Sequence, residues 1–266
     1  MADISDINHE NKILIAGPCV VQDLETCLLI ASEVKRVSQL FGFIPVFKAS
    51  FDKANRTSQS GFRSIGQLEA LKIINEVGNQ LDMLTITDVH ETSQIDEVVK
   101  WVDLLQVPAF LSRQTDLIEA CAKTNKPTLV KKGQFLSPEV CKFIEDKFYK
   151  SGGKKLIICE RGNSFGYTDL IVDVTSISKL KESCQRSLIA MDCTHSLQKP
   201  NGQMGKTSGQ SKYILDMVKY AAVMKSDVLF IECHPNPKES PSDSDNMLEL
   251  SKLEFVIECA YNIYNL

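Results

Sequence analysis

Cys19, His195, Glu232 and Asp243 offer a thiolate, an imidazole and two carboxylates. That mixed soft and hard donor set suits one divalent transition ion such as Zn, Fe(II) or Mn. No compact spacing joins the four, so they converge only if the segments carrying them meet in space. Singly, each has a plainer alternative: a free Cys is most often a small buried apolar residue, and a loop carboxylate is most often solvated. The second group is cationic: Lys48, Lys53, Arg56, Arg63, Arg113, Lys131, Lys132 and Arg161. Arg offers a planar fork and Lys a movable point charge, so this set suits phosphorylated or carboxylated substrates. Its plainer alternative is solvated surface charge. That alternative applies to Arg63 and to one of Lys131 and Lys132, which face opposite sides of a strand. Residues 48–58, Lys-Ala-Ser-Phe-Asp-Lys-Ala-Asn-Arg-Thr-Ser, read as a dense anion-binding loop. Ser164, Thr207 and Ser208 lie outside any G-x-S-x-G elbow, which disfavours serine hydrolase chemistry, and the usual dinucleotide and NTP loops are missing.

The elements that must position these residues show as short apolar runs at 13–16, 45–48, 83–87, 104–107, 128–131, 156–159, 188–191 and 228–231, which predict eight strands. Helical spacing of apolar residues marks 26–41, 66–77, 93–100, 115–123, 137–149 and 211–224, with a closing helix over 247–265. The strands recur at about 31 residues, which suits repeated βα units. Eight such units imply an α/β chain folded as a closed parallel (β/α)8 barrel. Continuously apolar strands suit a doubly wound open sheet equally well, and periodicity does not separate the two. A ninth run, 170–174, reads as an insertion in the sixth unit, and 202–209 as a flexible glycine-bearing loop. No linker divides residues 1–266, which read as one catalytic domain.

In a βα barrel the active site forms at the carboxyl ends of the strands. There the sequence places Cys19, Lys48, Asp88, Gln106, Lys131 with Lys132, Glu160 with Arg161, Asp192 with His195, and Glu232 with His234. Closure would make the seventh, eighth and first strands neighbours, as the metal set requires. Pro235 marks the end of the last strand, so His234 reads as a supporting or structural residue.

The 266 residues carry 30 Lys plus Arg against 34 Asp plus Glu, a formal charge of −4, with 43% hydrophobic residues. These are the proportions of a soluble globular chain without a basic surface for nucleic acid. Nine Cys at irregular positions read as reduced, intracellular thiols. The polar, acidic start and the lack of an apolar stretch of about 18–20 residues give a cytoplasmic expectation.

In order along the chain stand Ile15-Ala-Gly-Pro-Cys19, Phe47-Lys-Ala-Ser-Phe-Asp-Lys-Ala-Asn-Arg56, Thr87-Asp-Val-His90, Gln106-Val-Pro-Ala-Phe110 and Arg113-Gln-Thr-Asp116. Lys131-Lys-Gly-Gln-Phe135, Glu160-Arg-Gly162, Phe165-Gly-Tyr167, Asp192-Cys-Thr-His195 and Glu232-Cys-His-Pro235 follow. From about residue 13 to 250 the chain resembles the 3-deoxy-D-manno-octulosonate 8-phosphate synthase family.

The resemblance implies a (β/α)8 barrel that condenses phosphoenolpyruvate with arabinose 5-phosphate and water in lipopolysaccharide synthesis. It implies that Lys53, Lys132 and Arg161, with Ser50 and Gln106, hold phosphoenolpyruvate, with Lys48 near its reacting end. Asn55, Arg56 and Thr57 would take arabinose 5-phosphate, and Asp88 would share the pocket. Arg113 would reach the sugar phosphate of a neighbouring subunit in a homotetramer. Cys19 stands where the metal-independent members carry Asn, so the resemblance is to the metal-dependent group, with His195, Glu232 and Asp243 as the other ligands. Gln22-Asp23 depart from the family's usual Glu-Ser pair, and Asp245 competes with Asp243 as fourth ligand. Two other readings compete. One is the related synthase of aromatic biosynthesis, which uses erythrose 4-phosphate and carries Lys-Pro-Arg where this chain has Lys53-Ala-Asn-Arg56. The other is a catalytically silent phosphosugar-binding or redox-sensing protein.

Overall fold

Alternate residues of each apolar run go to opposite destinations. Ile13, Ile15, Val46, Leu84, Ile86, Leu104, Leu129, Ile157, Leu188, Ala190, Val228 and Phe230 form one buried cluster, and Leu14, Phe47, Leu105, Val130, Ile158, Ile189, Leu229 and Ile231 belong to another. The first set fills the inside of a barrel and the second packs under its helices. This two-sided burial explains why the strands read as unbroken apolar runs. Each such aliphatic side chain contributes about 1.5–3 kcal/mol on burial.

The computed structural model describes residues 3–55, 61–203 and 206–266. The barrel strands are β1 (Lys12–Gly17), β2 (Phe43–Lys48), β3 (Leu84–Asp88), β4 (Leu104–Val107), β5 (Thr128–Lys131), β6 (Leu156–Glu160), β7 (Leu188–Asp192) and β8 (Val228–His234). Each pairs in parallel with the next. β8 returns to β1, with Val228 opposite Ile13 and Glu232 opposite Gly17. That pairing closes the sheet and excludes the doubly wound alternative. Ile4 and Ile7 pack against the inner cluster from the N-terminal segment, and the Lys155 ammonium donates to the Ile4 carbonyl at 2.6 Å.

Among the described residues, eight helices cover the barrel: α1 (Leu24–Leu40), α2 (Gln67–Leu81), α3 (Ile95–Val98), α4 (Thr115–Lys123), α5 (Lys142–Lys150), α6 (Ser176–Ser183), α7 (Ile214–Val223) and α8 (Leu253–Tyr264). Besides α2, which runs four residues past the expected end at Val77, five differ from expectation for local reasons. α3, α5 and α7 are shorter because their first turns are 3-10. α8 begins later because Leu248–Glu249 extends beside β8 instead. α6 escaped the sequence reading because its eight residues bury only two large apolar side chains, Ile177 and Leu180, too few to show a period.

The insertion expected in the sixth unit is an antiparallel hairpin, Asn163–Phe165 with Asp169–Ile171, so residues 172–174 are not strand. The stretch read as a flexible loop is also built as a hairpin, Gln198–Gln203 with Lys206–Gly209, among the described residues. Gln22 and Asp23 have local structural work. The Asp23 carboxylate caps α1 by accepting from Thr26 N at 2.7 Å, and the Gln22 side-chain oxygen meets His234 Nε2 at 2.8 Å. With its other ring nitrogen 2.6 Å from the Asn236 carbonyl, His234 is structural. At Gly17 the backbones of β1 and β2 come so close that a Cβ would lie 2.0 Å from the Lys48 carbonyl oxygen, so only glycine fits.

Candidate active site and metal centre

Every strand but β1 ends its inward row with a polar residue. Lys48, Asp88, Gln106, Lys131, Asp192 and, one step past β6, Arg161 line a cleft of about 920 Å³ at the carboxyl end, and buried Glu232 follows Phe230 on the inward row of β8 beside them. Period two therefore carries each apolar inner row into a polar rim.

On one side of the cleft, Cys19, Glu232 and Asp243 bring their ligand atoms within 4.8 Å of one another. Cys19 Sγ lies 3.1 Å from Asp243 Oδ2. His195 Nε2 adds a fourth donor, 3.3 Å from Glu232 Oε2. Its Nδ1 is 2.7 Å from Asp192 Oδ2, which fixes the ring with Nε2 turned to the cluster, as a carboxylate partner does for a ligating histidine. Asp192 is itself held, its Oδ1 accepting from the backbone of Thr194 and His195 and from the Thr194 hydroxyl. Asp243 sits at φ +51°, a left-handed conformation that an Asp tolerates and that aims its carboxylate at Cys19.

The electrostatics of the cluster fit a cation. Burial and the nearby Glu232 carboxylate push the Cys19 thiol well above its usual range, so it gives up its proton only to a strong local positive charge. Burial would also raise Glu232 and Asp243, yet both are held below the ordinary carboxylate range, Glu232 by His195 and Lys48, Asp243 by His195 and Lys53. Burial opposes charge on His195, but Asp192 and Glu232 outweigh it and raise the imidazole. A thiol and two carboxylates converge here with an imidazole beside Glu232, a donor set matched to a divalent transition ion.

The other side of the cleft is built for anions. Lys48 Nζ is 2.6 Å from Glu232 Oε1, Lys53 Nζ 3.0 Å from Ser50 Oγ, and Lys131 lies 3.0 Å over the Phe230 ring while donating to Asp192. Arg161 Nη1, Asp88 Oδ1, His90 Nδ1, Gln106 Oε1 and Gln134 Oε1 are buried with no hydrogen-bond partner among the described residues. All five side chains line the cleft. Unsatisfied buried polar atoms are rare, and a group gathered on one wall marks a place for a polar ligand.

A model of the DAHP synthetase I family matches residues 3–262. The chain belongs to that family. Among curated relatives, the 2-dehydro-3-deoxyphosphooctonate aldolase of Fusobacterium nucleatum subsp. nucleatum is 41% identical over 251 residues, 94% of this chain and 90% of the relative. Those of Magnetococcus marinus and of Xylella fastidiosa strain M12 are 40% and 42% identical, each over 94% of this chain and over 87% and 90% of their own lengths.

As a family member the chain places most of the expected site residues together. Lys48, Lys53, Ser50, Asn55, Asp88, Gln106, Arg161, His195 and Asp243 line the cleft, and Cys19 and Glu232 are buried in the cluster at its edge. Lys132 is a correction. It is fully buried outside the cleft, where its ammonium donates to Asn163 Oδ1 at 2.6 Å and the Leu136 carbonyl at 3.2 Å, with Glu160 at 3.3 Å. The cleft lysine is Lys131, so neither of the pair is a solvated surface charge. Arg63 is half exposed but paired, its guanidinium on the Asp52 carboxylate and its carbonyl accepting from Lys53 N at 3.0 Å.

Asp243 touches Cys19, whereas Asp245 is exposed. Arg113 is exposed outside its own chain's cleft. Arg56 and Thr57 lie outside the described residues. The sequence reading placed Asp192 at the strand ends without a role, and left His90 and Gln198 off the site. The signals were there: His90 follows Asp88 by one strand period and meets it at 3.0 Å, and Asp192 precedes His195 by one tight turn. No helix among the described residues is long and apolar enough to cross a membrane.

Proposed function

We infer that this protein is a transferase that condenses phosphoenolpyruvate with D-arabinose 5-phosphate and water, releasing inorganic phosphate and 3-deoxy-D-manno-octulosonate 8-phosphate for lipopolysaccharide synthesis. The observation that carries the reading is the buried, partnerless Arg161 Nη1 facing Lys131 and Lys53 across one cleft, beside a cation-binding cluster. The curated relatives support it, because their name denotes the same eight-carbon phosphorylated 3-deoxy keto acid. The same names disfavour the erythrose 4-phosphate synthase, and four converging ligand types disfavour a silent sensor.

Arg161, Lys131 and Lys53, with Ser50 and Gln106, hold the phosphate and carboxylate of phosphoenolpyruvate. Asn55, Arg56 and Thr57 take the sugar phosphate, and Asp88 with His90 faces the space between. C3 of phosphoenolpyruvate bonds to the aldehyde carbon, water oxygen bonds to C2, and one water proton ends on the former aldehyde oxygen. The C2–phosphate oxygen bond then breaks as the C2 hydroxyl gives its proton to the departing phosphate, leaving the ketone and inorganic phosphate. The fixed lysine and arginine charges stabilise the phosphate and carboxylate throughout, at no reorganisation cost during the reaction. Cys19, His195, Glu232 and Asp243 would hold one Zn, Fe(II) or Mn ion, which when bound would supply Lewis-acid chemistry to water or aldehyde.

Residues 1–266 act as one catalytic domain in a cytoplasmic homotetramer. The nine free thiols support that compartment. Exposed Arg113, with exposed Phe110 and Phe135 beside the cleft mouth, supports a neighbour's approach there. The test is phosphate release from phosphoenolpyruvate with arabinose 5-phosphate or with erythrose 4-phosphate, before and after chelation and metal return. Release with the five-carbon sugar alone, lost on chelation and restored by metal, is expected. Release with the four-carbon sugar moves the protein to aromatic biosynthesis, and release with neither removes the enzyme reading.

A further inference from the structure

We propose that Gln198 is a positioning residue that couples the anion-binding and cation-binding halves of the cleft, so that phosphoenolpyruvate and the divalent ion each tighten the other's binding. The proposal rests on the substrate reading above.

Gln198 stands just after the 3-10 turn His195–Leu197, between Arg161 and Asp243, which feel each other's charge and are joined by hydrogen bonds through this side chain. Its Oε1 accepts from Arg161 Nη2 at 2.5 Å, and its Nε2 donates to Asp243 Oδ1 at 2.9 Å. The other Asp243 oxygen is 3.1 Å from Cys19 Sγ and accepts from the Ser242 hydroxyl at 3.0 Å. A guanidinium has only donors and a carboxylate only acceptors. One side chain joins them only if it carries an acceptor and a donor at the same end, which is what an amide does. Glu at 198 would keep the Arg161 bond and repel Asp243, and Lys would do the reverse.

The two ends of this bridge are where ligands are expected. Arg161 Nη1 is buried and partnerless, so an anion completes the guanidinium and fixes its plane. Asp243 holds a left-handed backbone conformation, which an Asp adopts when its carboxylate is held by local bonds, so its placement depends on the bonds its carboxylate makes. An anion that fixes Arg161 therefore fixes Gln198 and Asp243. By linkage, a cation that fixes Asp243 returns the same factor to the anion.

The experiment measures the affinity of the metal-stripped protein for added Zn by competition with a chromophoric chelator, with and without saturating phosphoenolpyruvate. Phosphoenolpyruvate binding to the stripped and the Zn-loaded protein is measured in parallel. In the unaltered protein phosphoenolpyruvate is expected to tighten Zn about fivefold or more, the usual scale of such couplings, and Zn to tighten phosphoenolpyruvate equally. In Gln198→Met both ligands still bind, and the mutual factor falls below about twofold. Gln198→Glu serves if Met disturbs folding. It is expected to keep phosphoenolpyruvate binding in the stripped protein while losing the coupling. A coupling unchanged in either folded variant overturns the proposal. An unaltered protein that binds both ligands without mutual effect also overturns it and leaves the substrate reading standing. One that binds no phosphoenolpyruvate in either state overturns both.

Discussion

Lys131 and Lys132 are adjacent in the chain, and their ammonium groups lie on opposite sides of the barrel wall. Lys131 faces inward over Phe230 to Asp192, and Lys132 faces outward to Asn163 and the Leu136 carbonyl, near Glu160. Strand pleating alone produces this split, and it separates a ligand-facing charge from a structural one.

The two lysines should fail differently when changed to Met. Lys131→Met is expected to lower kcat/KM for phosphoenolpyruvate by about 10²-fold or more, the loss usual for one electrostatic donor. Lys132→Met leaves Glu160, already bonded to the backbone of Arg161 and Gly162, as an uncompensated buried charge. It is expected to cost about 3–5 kcal/mol of stability. Steady-state kinetics and urea unfolding of both variants check this, and the reverse pattern would return Lys132 to the substrate.

Asp243 and Asp245 are distinguished by metal content. Asp243→Asn should lower bound metal after dialysis and activity together, because its oxygen lies 3.1 Å from Cys19 Sγ. Asp245→Asn should leave both within about twofold, as for an exposed site away from the cluster. Elemental analysis of the dialysed proteins reads the difference, and equal metal loss in both would mean that the loop is seated otherwise.

Acid should destabilise the fold through its buried carboxylates. Burial alone would raise Asp88, but the His90 bond and the nearby Lys53 and Lys48 hold it well below its usual range. A group depressed in this way contributes stability that is fully present above the unfolded pKa, about 3.9, and is lost as the pH falls through the lower folded value. Asp88→Asn should remove one proton's share of the slope, about 1.4 kcal/mol per pH unit below pH 4. Unfolding free energies at pH 7, 5, 4 and 3 test this, and parallel curves would argue against it.

The thiols should divide eight to one. Burial pushes Cys27, Cys121, Cys159, Cys184 and Cys233 up to about 12, and Cys19, Cys141 and Cys193 are equally buried. Cys259 is partly exposed. A disulfide reagent at pH 8 is expected to titrate one thiol in the folded protein and nine in guanidinium. Several fast native thiols would show that the helical layer opens readily.

The positions of all eight barrel strands were legible in the sequence, because strands buried on both faces must be apolar at every residue. So were most polar residues of the rim, because period two ends each inner row at the same level. The donor types of the metal cluster were legible too, though not their convergence, since Cys19 and Asp243 are separated by 224 positions and meet only through the β8–β1 pairing. Closure and the choice of Lys131 over Lys132 were decided by tertiary structure. Each depends on the phase of a strand or loop against a distant neighbour, and that phase comes from long-range packing rather than from local composition. The Gln198 bridge is of the same kind, an amide whose two partners arrive from β6 and from the loop after β8.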